Sequence, residues 1–297
     1  MTSQKHHHHT EVKYMVSTTL DRISDLPWNA MHNILGRLPM EEAVKTSILS
    51  RKWRNKWQCL LDRISDLPWN VIDTILVCLP IEEAVKTSIL SKKWRNKWCS
   101  LSILHFQYDH RYDHLLGTSE DRIVLTNNLV KIVDHVLLLH QGQVSRFFLE
   151  LPQPHNIDPW INSLSKKGLT ELILILAYKR NPAPLIELCP GLFLCSQLNK
   201  LQLIGSWVFE PPLSFRGFTC LTFLCLYNVI ISDGDLDKLF HSCPLLENFR
   251  SIQSFGFTAL RVVSPRLKSF KYREMGQPGV QDKRLVISFE NNPISRP

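Results

Sequence analysis

Two spacings of apolar residues divide the chain. Between positions 66 and 90, Val71, Ile72, Ile75, Leu76 and Leu79 recur at helical intervals on two adjoining stripes, a wider apolar surface than a helix docked on one neighbour needs. Asp66 or Ser65 can cap that helix, and Pro68 suits an early helical position because it has no N–H to leave unpaired. Leu79-Pro80 ends the run, and Glu82 and Glu83 stand where carboxylates favour the start of a second helix, expected through Leu90. Ser91 is placed to cap a third helix, on which Trp94 and Trp98 share one side among Lys92, Lys93, Arg95 and Lys97. Further on, Ser119 to His140 reads as an amphipathic helix with Ile123, Val130, Val133, Val136, Leu137 and His140 on one side, expected to seal one end of the C-terminal region.

From Val144 the period changes to apolar-x-x-apolar-x-apolar. The instances are Val144/Phe147/Leu149, Leu169/Leu172/Leu174, Leu198/Leu201/Leu203, Leu221/Leu224/Leu226, a degraded Leu246/Phe249, and Leu267/Phe270/Tyr272. Their starts lie 25, 29, 23, 25 and 21 residues apart, which is the spacing of leucine-rich repeats. Asp158 to Lys167 and Asp233 to His241 read as short helices between strands.

Residues 62 to 101 repeat residues 21 to 60 at a period of 41. Three short helices bury too little surface to be stable alone, so the set of apolar faces points to a partner, while any single side chain can equally be packing its own helices. Gly36 in the first copy stands where the second has Val77, a cost of about 1 kcal/mol in helix propensity. The second copy also runs straight into the following chain, and is the one expected to work. The sequence thus divides into a disordered tail (1–20), a first helical copy (21–61), a second (62–103), a helical connector (104–142) and leucine-rich repeats (143–290). The fold class expected is α joined to α/β: tandem three-helix units followed by a short, irregular solenoid with a parallel sheet and helices.

Alternation along each repeat strand turns the motif residues inward and the intervening ones outward. The outward set comprises Arg146, Phe148 and Glu150; Glu171, Ile173 and Ile175; Lys200, Gln202 and Ile204. It continues with Phe223, Cys225 and Tyr227; Asn248 and Arg250; Ser269, Lys271 and Arg273. Of these, Arg146, Phe148, Glu171, Lys200, Gln202, Phe223, Tyr227, Arg250 and Lys271 are the candidate target-binding residues, because aromatic and Arg side chains carry much of the energy at protein interfaces. Packing under loops is the alternative for Phe223, Ile173 and Ile175.

Composition narrows the classes. The chain has 297 residues, 44% of them hydrophobic, which exceeds one ordinary core and excludes wholesale disorder. Its eight cysteines show no metal-ligand or CxxC spacing and read as reduced thiols of the nucleus and/or cytoplasm. The net charge of +8 is spread along the chain, densest in the two copies, with no nucleic-acid motif beside it; no nucleic acid partner is expected. His6 to His9 can hold a metal, but without a second ligand cluster they read as tail, and no metal and no cofactor are expected. No segment is long and apolar enough to span a bilayer, so no membrane partner is expected. No phosphate loop, HExxH, GxSxG or Cys with a His partner is present, so no catalytic residue is assigned.

The order Leu-Pro, an apolar helix, a second Leu-Pro, Glu-Ala-Val-Lys-Thr-Ser-Ile-Leu-Ser and Lys-Lys-Trp-Arg-Asn-Lys-Trp resembles the F-box, in the form seen in plant F-box/LRR proteins. Val133-Asp-His-Val-Leu-Leu-Leu-His, Asp158-Pro-Trp-Ile-Asn-Ser-Leu-Ser-Lys-Lys-Gly-Leu and Ser242-Cys-Pro-Leu-Leu-Glu resemble the same family, so the likeness runs from Asp21 to about Tyr272. The resemblance implies a non-catalytic substrate-recognition subunit of an SCF-type, cullin-RING E3 ubiquitin ligase, with the box on a Skp-type adaptor and the repeats on an unknown protein substrate. It implies adaptor contacts at Leu67, Pro68, Ile72, Ile75, Leu76, Leu79, Pro80, Val85, Leu90 and Trp94. In the first copy the equivalents are Leu26, Pro27, Met31, Ile34, Leu35, Leu38, Pro39, Val44, Leu49 and Trp53. Many relatives carry an FBD domain after the repeats, for which residues 273–297 leave no room; without a polar capping repeat the last sheet edge and core stay open, and the expectation is a chain that is truncated or marginally stable. The alternatives are a repeat-based interaction protein outside any ligase and a basic nucleic-acid-binding protein.

Overall fold

The computed structural model describes residues 68–79, 81–90, 96–108, 119–177, 185–273 and 286–290, with positions 26, 27, 30, 33 and 55 besides. The chain divides into two compact units, Met1–Leu60 and Leu61–Pro297. The 1–20 tail and nearly all of the first helical copy fall outside the described residues. So do its candidate contacts, except half-buried Leu26 and exposed Pro27.

In the second unit, helices α1 (Trp69–Val77) and α2 (Ile81–Leu90) form where their sequence places them. The Pro68 carbonyl accepts from the amides of Val71 and Ile72, starting α1. The two helices pack on each other and on a 3-10 turn, Lys97–Ser100, and α2 also meets the strand after that turn. The expected third helix is a 3-10 turn at its described end, with Trp98 and Cys99 buried; residues 91–95 lie outside the description.

The strands β1 (Ile103–Phe106), β2 (Arg146–Leu151), β3 (Glu171–Leu176), β4 (Ile186–Glu187), β5 (Lys200–Ile204) and β6 (Trp207–Phe209) come first. They are followed by β7 (Phe223–Tyr227), β8 (Ile230–Ile231), β9 (Asn248–Ile252), β10 (Ala259–Val263), β11 (Ser269–Arg273) and β12 (Val286–Glu290). Helices α3 (Ser119–Leu139), α4 (Asp158–Ser165) and α5 (Asp233–His241) lie between them. One parallel seven-stranded sheet takes the order β1-β2-β3-β5-β7-β9-β11; β4-β6-β8 and β10-β12 form two smaller sheets.

Two expectations need correction. Residues 104–142 are not a helical connector, because β1 is the first strand of the large sheet and pairs with β2, Leu104 beside Phe147 and Phe106 beside Leu149. Nor does α3 simply seal an end: it is the crossover between β1 and β2, packed against α4, with the indole N–H of Trp160 donating to Asp134 at 2.6 Å. Leu129, Val133, Val136 and Leu137 are buried on α3, while Ile123 is exposed.

All six motif instances become neighbouring strands of the large sheet. From Val144 to Phe249 every motif residue is 2% exposed or less, as is Leu267, whereas Phe270 and Tyr272 on the edge strand β11 are half-buried. Each of these leucines contributes about 1.5–3 kcal/mol through burial, shared with the repeats on both sides. From the helical layer, Phe240 of α5 meets Phe249 edge-on, ring centroids 4.9 Å apart.

Register is fixed just before each strand. The carbonyls of Ser102, Ser145, Thr170, Asn199, Thr222 and Glu247 each accept two amides from the next repeat, and the Ser145, Thr170 and Thr222 hydroxyls add a third bond to the Ser102, Ser145 and Asn199 acceptors. Just after β5, β7 and β9 the chain turns through left-handed residues, Gly205 (φ +119°), Asn228 (+56°) and Gln253 (+54°), and after the first two it enters β6 and β8 of the β4-β6-β8 sheet. At Gly205 a side chain is ruled out twice, since a Cβ there would lie 2.7 Å from that of Leu176.

Candidate functional site

Two surfaces are candidates, one on the helical module and one on the sheet. On α1, Ile72 and Leu76 are 1% and 0% exposed, interior residues that close the module. Both were expected as adaptor contacts; in the free chain their side chains are enclosed within the second unit, which is the packing alternative. The other stripe of α1 begins with Val71, 37% exposed, with Ile75 one turn further on. Pro68 is exposed; Leu79 and Val85 are half-buried; Leu90 sits on α2; Leu67, Pro80 and Trp94 fall outside the described residues. Val71 was not among the expected contacts, since spacing alone shows two stripes without showing which faces in.

On the large sheet, the outward positions align in three rows. The first runs from Arg146 through Glu171, Lys200 and Phe223 to Asn248 and Ser269. The second runs from Phe148 through Ile173, Gln202 and Cys225 to Arg250 and Lys271. The third runs from Glu150 through Ile175, Ile204 and Tyr227 to Ile252 and Arg273. All nine candidate target-binding residues therefore stand on one face, eight in the first two rows and Tyr227 in the third.

The electrostatics of this face vary along it. Arg146 donates to both Glu171 carboxylate oxygens, at 2.7 and 2.9 Å, and Lys200 approaches the same carboxylate at 3.8 Å. The Arg146 hydrogen bonds hold the Glu171 carboxyl below its usual range against the opposing effect of burial. Phe223 carries a cation on either side: Lys200 Nζ lies 5.5 Å and Arg250 Cζ 5.4 Å from its ring centre, which gives this ring a role other than packing under a loop. Burial pushes the Cys225 thiol up, although Arg250 draws it down.

Strand β1 adds two positions that the sequence reading missed, Ile103 before Arg146 in the first row and His105 before Phe148 in the second. The signal was present: Leu101, Leu104 and Phe106 repeat the apolar-x-x-apolar-x-apolar pattern, hidden because Leu101 also ends the helical copy. The His105 ring lies tilted against that of Phe148, centroids 4.1 Å apart, and its burial lowers the imidazole pKa. Beneath the junction, His140 is buried and donates from Nε2 to the Leu101 carbonyl at 2.8 Å, while Lys167 donates to the His140 carbonyl at 2.8 Å. Burial, assisted by the Lys167 charge, lowers the His140 pKa despite the Leu101 hydrogen bond.

Among the described residues, no group of three His, Cys, Asp or Glu is placed to hold a metal ion, and no helix is long and apolar enough to cross a membrane. The buried Cys189, Cys195 and Cys243 thiols are pushed up to about 11, 12 and 11, mainly by burial, which makes them poor nucleophiles.

Comparison with known proteins finds both an F-box and leucine-rich repeats in the chain. The F-box domain model matches residues 23–60 and again 64–106. The model for the LRR repeats of FBD-associated F-box protein At5g56370 matches residues 157–287. F-box/FBD/LRR-repeat protein At1g13570 of Arabidopsis thaliana is 37% identical over 250 residues, 83% of this chain and 47% of the relative. FBD-associated F-box protein At1g66310 of the same plant is 28% identical over 280 residues, 90% of this chain and 49% of the relative. F-box/LRR-repeat protein 13, also of Arabidopsis thaliana, is 27% identical over 291 residues, 92% and 50% of the two chains. The chain thus spans about half the length of the curated relatives it matches.

Proposed function

Because the chain belongs to the plant F-box/LRR-repeat proteins, we propose that it is a substrate-recognition subunit of an SCF-type, cullin-RING E3 ubiquitin ligase. The 62–103 box binds a Skp-type adaptor through Leu67-Pro68, the outward stripe of α1, and Leu79, Val85, Leu90 and Trp94. The outward face of the repeats holds the target protein. The chain supplies no acid, base or nucleophile; it raises the rate of ubiquitin transfer by holding the target near the charged ligase. We place it in the nucleus or the cytoplasm, where unpaired thiols persist.

One observation carries this reading. The second F-box match, 64–106, ends on the last residue of β1, the first strand of the repeat sheet. The Cys99 carbonyl accepts from the amides of Gln141 and Gly142, and the Ser102 carbonyl from those of Ser145 and Arg146, so the end of the box is bonded into the first repeat. Docking module and recognition sheet are joined by shared backbone hydrogen bonds, which is what a proximity mechanism requires of a receptor.

Co-purification with a Skp-type adaptor tests it. The adaptor should be retained by the full chain and by a chain lacking residues 21–61, and lost when Leu67-Pro68 is changed to Ala-Ala. A second reading, a repeat protein outside any ligase, is favoured by the burial of Ile72 and Leu76, which narrows the docking stripe. Absence of adaptor from the full-length chain would select it.

A further inference from the structure

The outward face of the sheet changes chemistry from one end to the other. Toward β2, β3 and β5 the charges are satisfied, since Glu171 pairs with Arg146 and Lys200, and half-buried Phe148, Ile173, Ile175 and Ile204 make up much of the rest. Toward β9 and β11 the balance is reversed. Arg250 and Lys271 are direct register partners on neighbouring strands, Arg273 lies two residues beyond Lys271 on β11, and all three are exposed. Among the described residues none offers these three cations a carboxylate; the nearby Glu247 is engaged by Lys268 at 2.8 Å. Like charges held directly opposite on a sheet are destabilising, and that cost is removed when an anion lies between them. Phe223, flanked by Lys200 and Arg250, marks the boundary between the two halves.

Resting on the reading that this face holds the target, we propose that it accepts an extended protein segment whose apolar residues lie over β2–β5 and whose acidic or phosphorylated residues lie over β9–β11. Strand spacing sets the pattern in the partner. From β3 to β9 there are three strand steps and to β11 four. At about 4.8 Å per step these span about 14 and 19 Å, and an extended chain at about 3.4 Å per residue covers them in about four to six residues. A nucleic acid is disfavoured, because a phosphate backbone needs cations along its whole track, and the isoleucine half of this face has none to spare.

The test uses the full chain and fluorescein-labelled peptides read by anisotropy at constant salt. The probe carries Leu-Phe, a four-residue Gly/Ser spacer and four Glu; its controls are the same peptide with Lys for Glu, the same peptide without the spacer, and a thymidine oligonucleotide of equal charge. The Glu peptide should bind at least about tenfold tighter than each control. It should lose at least about tenfold in the Arg250→Glu/Lys271→Glu variant and keep most of its affinity in Arg250→Lys, with an unchanged melting curve showing that each variant folds. Equal binding of the Lys peptide, equal binding by the charge-reversed variant, or tighter binding of the oligonucleotide overturns the proposal. Proximity labelling from the full chain in plant cells separates this from failure of the underlying reading. Labelled partners lost by Phe148→Asp but kept by Arg250→Glu/Lys271→Glu mean a target face without the acidic preference. A labelled set unmoved by both means that the face does not hold the target at all.

Discussion

The helical box and the repeat sheet handle their apolar residues in opposite ways. In the sheet every inward motif residue from Val144 to Phe249 is enclosed by the repeats on either side, so the array completes itself. In the box α1 carries two apolar stripes, of which the Ile72/Leu76 stripe closes the module while the one that starts at Val71 has exposed surface. A repeated strand finds its missing neighbour in the next strand of the array, whereas the box leaves part of one apolar stripe open to solvent.

Substitutions that separate closure from docking break or sharpen this contrast. Leu224→Ala, in the middle of the sheet at 0% exposure, should cost about 2–5 kcal/mol and lower the denaturation midpoint of the whole second unit. Val71→Asp should leave that midpoint within about 0.5 kcal/mol while weakening adaptor binding by about 1–3 kcal/mol, read as lost co-purification and a slower association signal. If Val71→Asp instead melts the unit, its stripe belongs to the interior and the contrast fails.

The junction gives a smaller, pH-dependent effect. His140 has a folded pKa below its ordinary value, so the folded state favours the neutral ring. As pH falls below about 6.5 the unfolded chain takes up the proton first, and stability is lost at up to about 1.4 kcal/mol per pH unit until the folded pKa is reached. Above about 6.5 the contribution is fully present. His105 shifts in the same direction, so thermal melts of His140→Gln between about pH 5 and 7.5 should show a shallower slope, with a remainder from His105. The smallest effect belongs to the Arg146–Glu171 pair, whose side chains are 43% and 22% exposed; Glu171→Gln should change stability by no more than about 1 kcal/mol, and less at high salt.

Much of this architecture can be read from residue spacing. The six instances from Val144 to Tyr272 are strands of one sheet, and the helices at Asp158 and Asp233 begin where Pro159 and the Ser232 cap put them, the Ser232 hydroxyl accepting from the Asp235 amide. What stayed hidden has physical causes. Strand β1 escaped because Leu101 ends the box and opens the first repeat at once, and the 43 residues from Leu101 to Val144 exceed the usual period. The β4-β6-β8 sheet escaped because strands of two or three residues carry no measurable alternation. The orientation of α1 escaped because helical period identifies stripes but is symmetric with respect to which one is enclosed. On the sheet face, alternation placed the outward residues, but only register could reveal that Arg250 meets Lys271 and that Phe223 sits between two cations.

The paired amide bonds onto Ser102, Ser145, Thr170, Asn199, Thr222 and Glu247 clamp each rung at its entrance, and β4-β6-β8 ties part of the return path as well. A change in length confined to the unpaired part of a return segment leaves those entrance clamps, and with them the columns of face residues, in place. Such a scaffold lets insertion and deletion proceed on one side while the lettering on the other is rewritten residue by residue, without refolding the frame.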